Sequence, residues 1–255
     1  EKQFFFESVN GRNLFGTLYD AGPDTRAVVA VCNPLFEERK SAQRALVECC
    51  RALCEDGISL LHFDYSGCGD SDGIFSDYAV SDWNADITAA LHRVRDQRPD
   101  KPRGLLGLRF GGTLAVHAAA YNSIDLLVLW EPLVSGHRQL DEAFRKKRMK
   151  QMLTYGRSSI TESALLEALH RGETLDLDGY PLTPRLYEEL AALEKPAPRN
   201  MGPSRALLLS ISASGRQTKG FDQLETLFQP ADANLCCRTL KHQPFWNLIG
   251  YVDST

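Results

Sequence analysis

The chain has 255 residues, of which 43% are hydrophobic and 24% charged, the balance of a soluble globular protein. Lys and Arg number 29 against 33 Asp and Glu, and this formal net charge of −4 gives no electrostatic case for binding nucleic acid or an anionic membrane. Its apolar runs fall far short of the roughly 18 residues a membrane span needs, and no basic, apolar leader opens the chain.

In chain order, "QFFFESV" and "RNLFGTLYD" are strand-like runs separated by the turn signal Asn10-Gly11, which predicts an antiparallel hairpin. "RAVVAVCNP" is a short continuous apolar run, as expected of a strand buried on both faces. Behind it, Ala42, Leu46, Cys50 and Leu53 recur at helical spacing, and Gly57 ends that helix. "ISLLHFDY" is the next strand, followed by a helix with the apolar face Trp83, Ile87, Leu91 and Val94. "RGLLGLR" then predicts a strand, "GGTLAVHAAAY" a helix and "SIDLLVLWEP" a strand. Strand and helix therefore alternate from residue 26 to 132, the pattern of a parallel sheet with helices on both faces.

The rhythm breaks over residues 135–203, where the pattern predicts an all-helical insertion lying over the sheet's carboxyl edge. After the Pro-rich stretch "KPAPRNMGP" the series resumes with "RALLLSISA", "FDQLETLF" and "NLCCRTLK". The expected organisation is thus a core of residues 1–134 and 204–255 with a helical cap or lid at 135–203.

The seven cysteines, at positions 32, 49, 50, 54, 68, 236 and 237, contain no C-x-x-C element. That usage points to reduced thiols and a cytoplasmic setting, with no metal site and no cofactor. Cys32 lies in an apolar strand as a packed thiol, and Cys68 in the turn "DYSGCGDSDG". The turn is not a dinucleotide fingerprint, because Asp72 stands where the third glycine belongs.

The chemistry centres on "GLRFGG", a strand, a tight turn and a helix with glycines around the turn. This is the layout of a nucleophile elbow, except that Arg109 occupies the central position usually held by serine. A guanidinium stays protonated and has no lone pair with which to attack a carbonyl. Three readings follow: a lost active site with Arg109 held by an acidic neighbour, an anion clamp at a helix N-terminus, or chemistry run by other residues. His242, after the last strand, is either a catalytic base or a surface histidine. Glu131, just beyond "LVLW", could orient a histidine or pair with Arg109. The loop "SASGRQTKG", where a catalytic acid is usually found, has no carboxylate. In "CNPLFEERKSAQR", Phe36 is placed to line a pocket, and Glu37 and Glu38 to meet Arg109 or complement a helix dipole. A buried arginine requires such a partner.

With these residues placed, the chain resembles the α/β-hydrolase superfamily over nearly its whole length. More narrowly, "NPLFEERKSAQR", "GLRFGG", "LWEPLVSGHRQL" and "GETLDLDGYPLTP" resemble the second type of exosortase A system-associated hydrolases. The resemblance implies an α/β-hydrolase fold with a mostly parallel sheet, and a bacterial setting in exopolysaccharide and protein sorting. It places Arg109 in the nucleophile slot, His242 in the approximate histidine slot, and the Phe110 N–H in the oxyanion hole. The arginine leads to the expectation of a non-catalytic or atypical member that binds a small anionic or acyl ligand under its cap. The alternatives are an ester or thioester hydrolase with another nucleophile, and a component that binds a protein partner through the cap.

Overall fold

The unbroken apolar run AVVAVC forms β3 (Ala27–Cys32), buried along its whole length at the middle of an eight-stranded sheet. The structure is a computed structural model describing residues 1–133, 135–156, 161–194, 203–217, 221–228 and 234–247. Before β3, β1 (Lys2–Glu7) and β2 (Asn13–Tyr19) pair antiparallel as the Asn10-Gly11 signal predicts, with Gly11 at φ 76°. The alternation then follows in order: α1 (Glu37–Glu55), β4 (Ile58–Phe63), α2 (Val80–Gln97), β5 (Arg103–Leu108), α3 (Phe110–Tyr121) and β6 (Leu126–Trp130). The series closes with β9 (Arg205–Ser212), α7 (Phe221–Phe228) and β10 (Asn234–Lys241).

The strand order is β1-β2-β4-β3-β5-β6-β9-β10, parallel from β4 to β10, with β2 antiparallel to β4. Helices cover both faces. On one, Trp83, Ile87, Leu91 and Val94 of α2 are buried in a cluster with Val28, Ala30 and Leu105. On the other, Ala42, Leu46 and Cys50 of α1 pack with Val29, Val31, Leu106, Phe245 and Trp246. Leu53, placed by periodicity on the same face, is only partly buried.

Between β6 and β9 lie α4 (Gly136–Tyr155), α5 (Glu162–His170), β7 (Leu175–Leu177), β8 (Tyr180–Leu182) and α6 (Pro184–Ala192). The hairpin β7–β8 corrects the all-helical expectation for this segment. It turns through Asp178 (φ 56°) and Gly179 (φ 91°), the left-handed pair of a tight hairpin turn. Leu177 and Leu182 anchor it in the core. Ser135 caps α4 by accepting from the Arg138 N–H. At Gly136 a β-carbon would lie 1.9 Å from the Leu190 carbonyl oxygen, so only glycine lets α4 lie this close to α6.

Candidate functional site

The chain leaves β5, turns through Arg109 and enters α3 at once. Arg109 has φ 54° and ψ −121°, a conformation that costs a non-glycine residue on the order of 1–3 kcal/mol. The turn is fixed from several sides: the Arg109 N–H donates to the Trp130 carbonyl at 3.0 Å, and its own carbonyl accepts from Gly112 and Leu133. A β-carbon on Gly111 would lie 2.2 Å from the Cys32 carbonyl oxygen, and one on Gly107 2.4 Å from that of Gly111. These contacts are the close crossing of strand and helix that defines a nucleophile elbow.

The side chain at its apex enters an ion network. Arg109 Nε donates to Glu38 Oε2 at 3.2 Å and Nη2 to Glu38 Oε1 at 3.4 Å, while Nη2 also donates to Glu142 Oε2. Lys146 Nζ reaches Glu38 Oε1 at 3.0 Å, and Arg138 Nε lies 3.3 Å from Glu142 Oε1. The guanidinium carbon sits 5.2 Å from the centre of the Trp246 ring. Arg109 and Glu38 are 6% and 3% exposed, so little water screens them. Burial alone would lower the Arg109 pKa, but the charges of Glu38 and Glu142, the hydrogen bonds that Arg109 donates to Glu38 and the charge of Glu131 together raise it. The arginine is a permanent cation here.

Of the two acids expected to meet Arg109 from the β3–α1 loop, Glu38 does so and Glu37 does not. Glu37 is half-buried in the first turn of α1, 3.8 Å from Lys40, where it complements the helix dipole. Glu142, from α4, supplies the second carboxylate. Glu131 is buried at φ 43°, and its carboxylate accepts from the Ile211 N–H at 2.6 Å, tying the ends of β6 and β9. Its charge also acts on Arg109. Phe36 (φ 57°) turns its ring toward Phe75 and Tyr180, at centroid distances of 6.0 and 5.7 Å. Phe110 is fully buried as the first residue of α3, where a backbone N–H has no intrahelical acceptor.

A cleft of about 410 Å³ opens beside Arg109, between the sheet's carboxyl edge and α4. Its floor includes Leu133, Ile211, Phe221, Leu224 and Trp246; Arg138, Arg145 and Lys146 of α4 bring positive charge to it. Among the described residues lining it there is no cysteine and no histidine, and the one hydroxyl, of Ser212, donates to the Arg216 carbonyl. His242 is half-buried and lines a separate groove with Cys49, Trp130, Leu240 and Phe245, its Nδ1 2.7 Å from the Gln243 carbonyl oxygen. The structure therefore does not bring His242 to Arg109; it is Pro244 and Trp246 that enter the cleft. Burial pushes the thiols of Cys32 and Cys68 up to about 12, which leaves neither with thiolate character near neutral pH. No three His, Cys, Asp or Glu side chains among the described residues are placed to hold a metal ion.

A profile of the family described as serine aminopeptidase, S33, matches residues 23–174, which spans the sheet from β3 to β6 and the elbow itself. The chain belongs to this family. Palmitoyl-protein thioesterase ABHD10, mitochondrial, of Rattus norvegicus is 36% identical over 75 residues, 29% of this chain and 23% of that protein. The Homo sapiens protein is 36% identical over 75 residues, or 22% of its length, so the match spans under a quarter of either relative. Among solved structures, the esterase Pf2001 of Pyrococcus furiosus superposes with TM-score 0.65 at 14% identity, covering 95% of this chain and 81% of that one. The mouse α/β-hydrolase domain-containing protein 10 gives 0.58 at 16%, covering 97% and 94%. A Xanthomonas campestris α/β serine hydrolase described as without lid gives 0.55 at 19%, covering 96% and 86%. The fold of this family member is the α/β-hydrolase fold. At the apex of its elbow the arginine engages Glu38 and the Glu142 that periodicity alone did not reveal.

Proposed function

We propose that this chain is an α/β-hydrolase-fold protein without serine-hydrolase activity, which binds a small anionic or acyl ligand in the cleft beside Arg109 under a cap formed by residues 135–203. The observation that carries this reading is the Arg109 guanidinium, buried at the nucleophile position and held by Glu38 and Glu142. An apex so occupied has no attacking atom, and His242 lies in another groove. The ligand's anion meets the α4 cations rather than Arg109, which already has two carboxylate partners. Arg145 lines the cleft with no carboxylate partner among the described residues, and the apolar floor beneath suits an acyl chain. Seven free cysteines fit a reducing, cytoplasmic compartment.

Two measurements test the reading together. A fluorophosphonate probe should leave the protein unlabelled, and a medium-chain carboxylate should raise its melting temperature by an amount that shrinks in Arg145→Ala. Labelling at a single serine or cysteine overturns the first half; equal shifts in both proteins overturn the second.

The similarity to palmitoyl-protein thioesterase favours a second reading, thioester hydrolysis by a nucleophile away from the elbow apex. Steady-state release of thiol from an acyl thioester, abolished by a covalent probe, would establish it. The resemblance to exosortase-associated hydrolases adds a bacterial setting in polysaccharide export or protein sorting, with the cap as a contact surface for a protein partner.

A further inference from the structure

The first half of α4 covers the elbow; its second half carries a different surface. From Ala143 to Tyr155 the helix holds five cations (Arg145, Lys146, Lys147, Arg148, Lys150) and no carboxylate. Met149, Met152 and Leu153, spaced i, i+3 and i+4, share one face and are 59%, 52% and 81% exposed; Tyr155 follows at 73%. The opposite face, through Leu140 and Phe144, is buried. At 3.6 residues per turn, Arg148 borders the apolar stripe on one side and Lys150 on the other, and Arg145 lies on the stripe's own face one turn before Met149.

We infer that this half of α4 docks the protein onto an anionic lipid surface, with Met149, Met152 and Leu153 entering the headgroup boundary and the flanking cations meeting lipid phosphates. A stripe of exposed apolar side chains bordered on both sides by long cationic ones is the pattern of a helix lying in a membrane interface. The net charge of −4 conceals it, because acidic residues elsewhere outweigh a local excess. Lys150 pairs with Asp178 and Arg148 lies 3.8 Å from Glu162, surface contacts that salt screens and a phosphate can replace, whereas Lys146 stays with the buried Glu38 and takes no part. Arg145 has no carboxylate partner among the described residues. A second copy of the chain fits less well, because the face would set its own cations against themselves across a two-fold axis. The mode is surface docking: no helix among the described residues is long and apolar enough to cross a membrane. It holds whether or not the cleft takes a ligand, although Arg145 lines both and would place the cleft mouth near the lipid.

The test is co-sedimentation with phosphatidylcholine vesicles, with and without phosphatidylglycerol, at low and high salt. The whole chain should pellet with phosphatidylglycerol vesicles at low salt, much less at high salt, and stay in solution with phosphatidylcholine alone. Met152→Ser/Leu153→Ser should lower the partition by about tenfold or more, and Arg145→Ala/Arg148→Ala should lower it and flatten its salt dependence. Met152, Leu153 and Arg145 are exposed and Arg148 is half-exposed, so unchanged circular dichroism and melting temperature would show that both variants still fold. No pelleting of the wild type, or pelleting that Met152→Ser/Leu153→Ser leaves intact, overturns the inference. So does a dimer in equilibrium sedimentation that the same variant dissolves while vesicles bind nothing, which would assign the face to a second copy.

Discussion

Arg109 and Glu142 join the apex of the elbow to the first half of α4. In a working serine hydrolase the apex side chain must be free to meet a substrate. Here it is a tether between the sheet and the segment above it, and Lys146 adds a second strand to that tether through Glu38.

Removing the guanidinium leaves two carboxylates facing, among the described residues, only Arg138 and Lys146, with Glu38 almost wholly buried. Arg109→Ala should therefore destabilise the protein by about 3–5 kcal/mol, the usual cost of breaking a buried ion pair from one side. Urea denaturation checks this. Arg109→Met combined with Glu38→Leu should recover much of the loss, since an apolar pair of similar volume leaves no uncompensated charge. A single variant as stable as the wild type would show the network to be energetically idle.

Restoring the hydroxyl should not restore a hydrolase. Arg109→Ser supplies an oxygen at the apex, but the cleft has no histidine among its described lining residues, and Glu131 is committed to the Ile211 amide. Hydrolysis of a p-nitrophenyl ester should stay at the rate of wild type, within the background. A burst of p-nitrophenol in Arg109→Ser alone would mean that a base reaches the apex after all.

Gly111→Ala places a β-carbon against the Cys32 carbonyl oxygen, a backbone atom that cannot swing aside. The variant should fail to fold or melt far below the wild type. By contrast Gly172→Ala, at φ 87° with nothing within 4 Å of the added carbon, should cost only about 1 kcal/mol of backbone strain. Thermal melts of the two separate close packing from conformational freedom.

His62 sits buried in the sheet, its Nε2 2.7 Å from Asn33 Oδ1, while Asn33 donates to the Phe63 carbonyl. Burial lowers its pKa to about 4, with Asp64 opposing and Arg39 assisting the shift. The neutral ring is therefore the folded form. A depressed folded pKa means that this stability is fully present above the unfolded value near 6.5 and is lost as pH falls toward 4. The full contribution is about 3 kcal/mol. His62→Gln should flatten the decline in urea stability between neutral pH and pH 4; an unchanged slope would assign acid lability to other groups.

Much of this was legible in the chain, and the misses share a cause. Continuous apolar runs and helical periodicity report local burial, so β3 to β6 and their helices stood out, as did the elbow through Gly107, Gly111 and Gly112. The β7–β8 hairpin was also written locally, in the Asp178-Gly179 turn signal between alternating apolar residues, but two three-residue strands are too short for periodicity to register. Glu142 carried no local mark. It is one of two acids on a basic helix, and its role depends on where α4 lands. Glu37 and Glu38 are adjacent, and only helix geometry selects which one faces inward. His242 follows the last strand as expected, yet the chain seats it in another groove and sends Trp246 to the cleft instead.

Glu38, Arg109 and Glu142 lie 71 and 33 residues apart along the chain, and each comes from a different layer of the structure. Their charges meet only after β3 and β5 have paired and α4 has settled on the elbow. Contacts that close such long loops are the last that a folding chain completes, so the network belongs to the descent after the transition state. Its loss should leave the refolding rate nearly untouched and accelerate unfolding by most of the lost stability. The arginine at the apex should then set how long the native state persists.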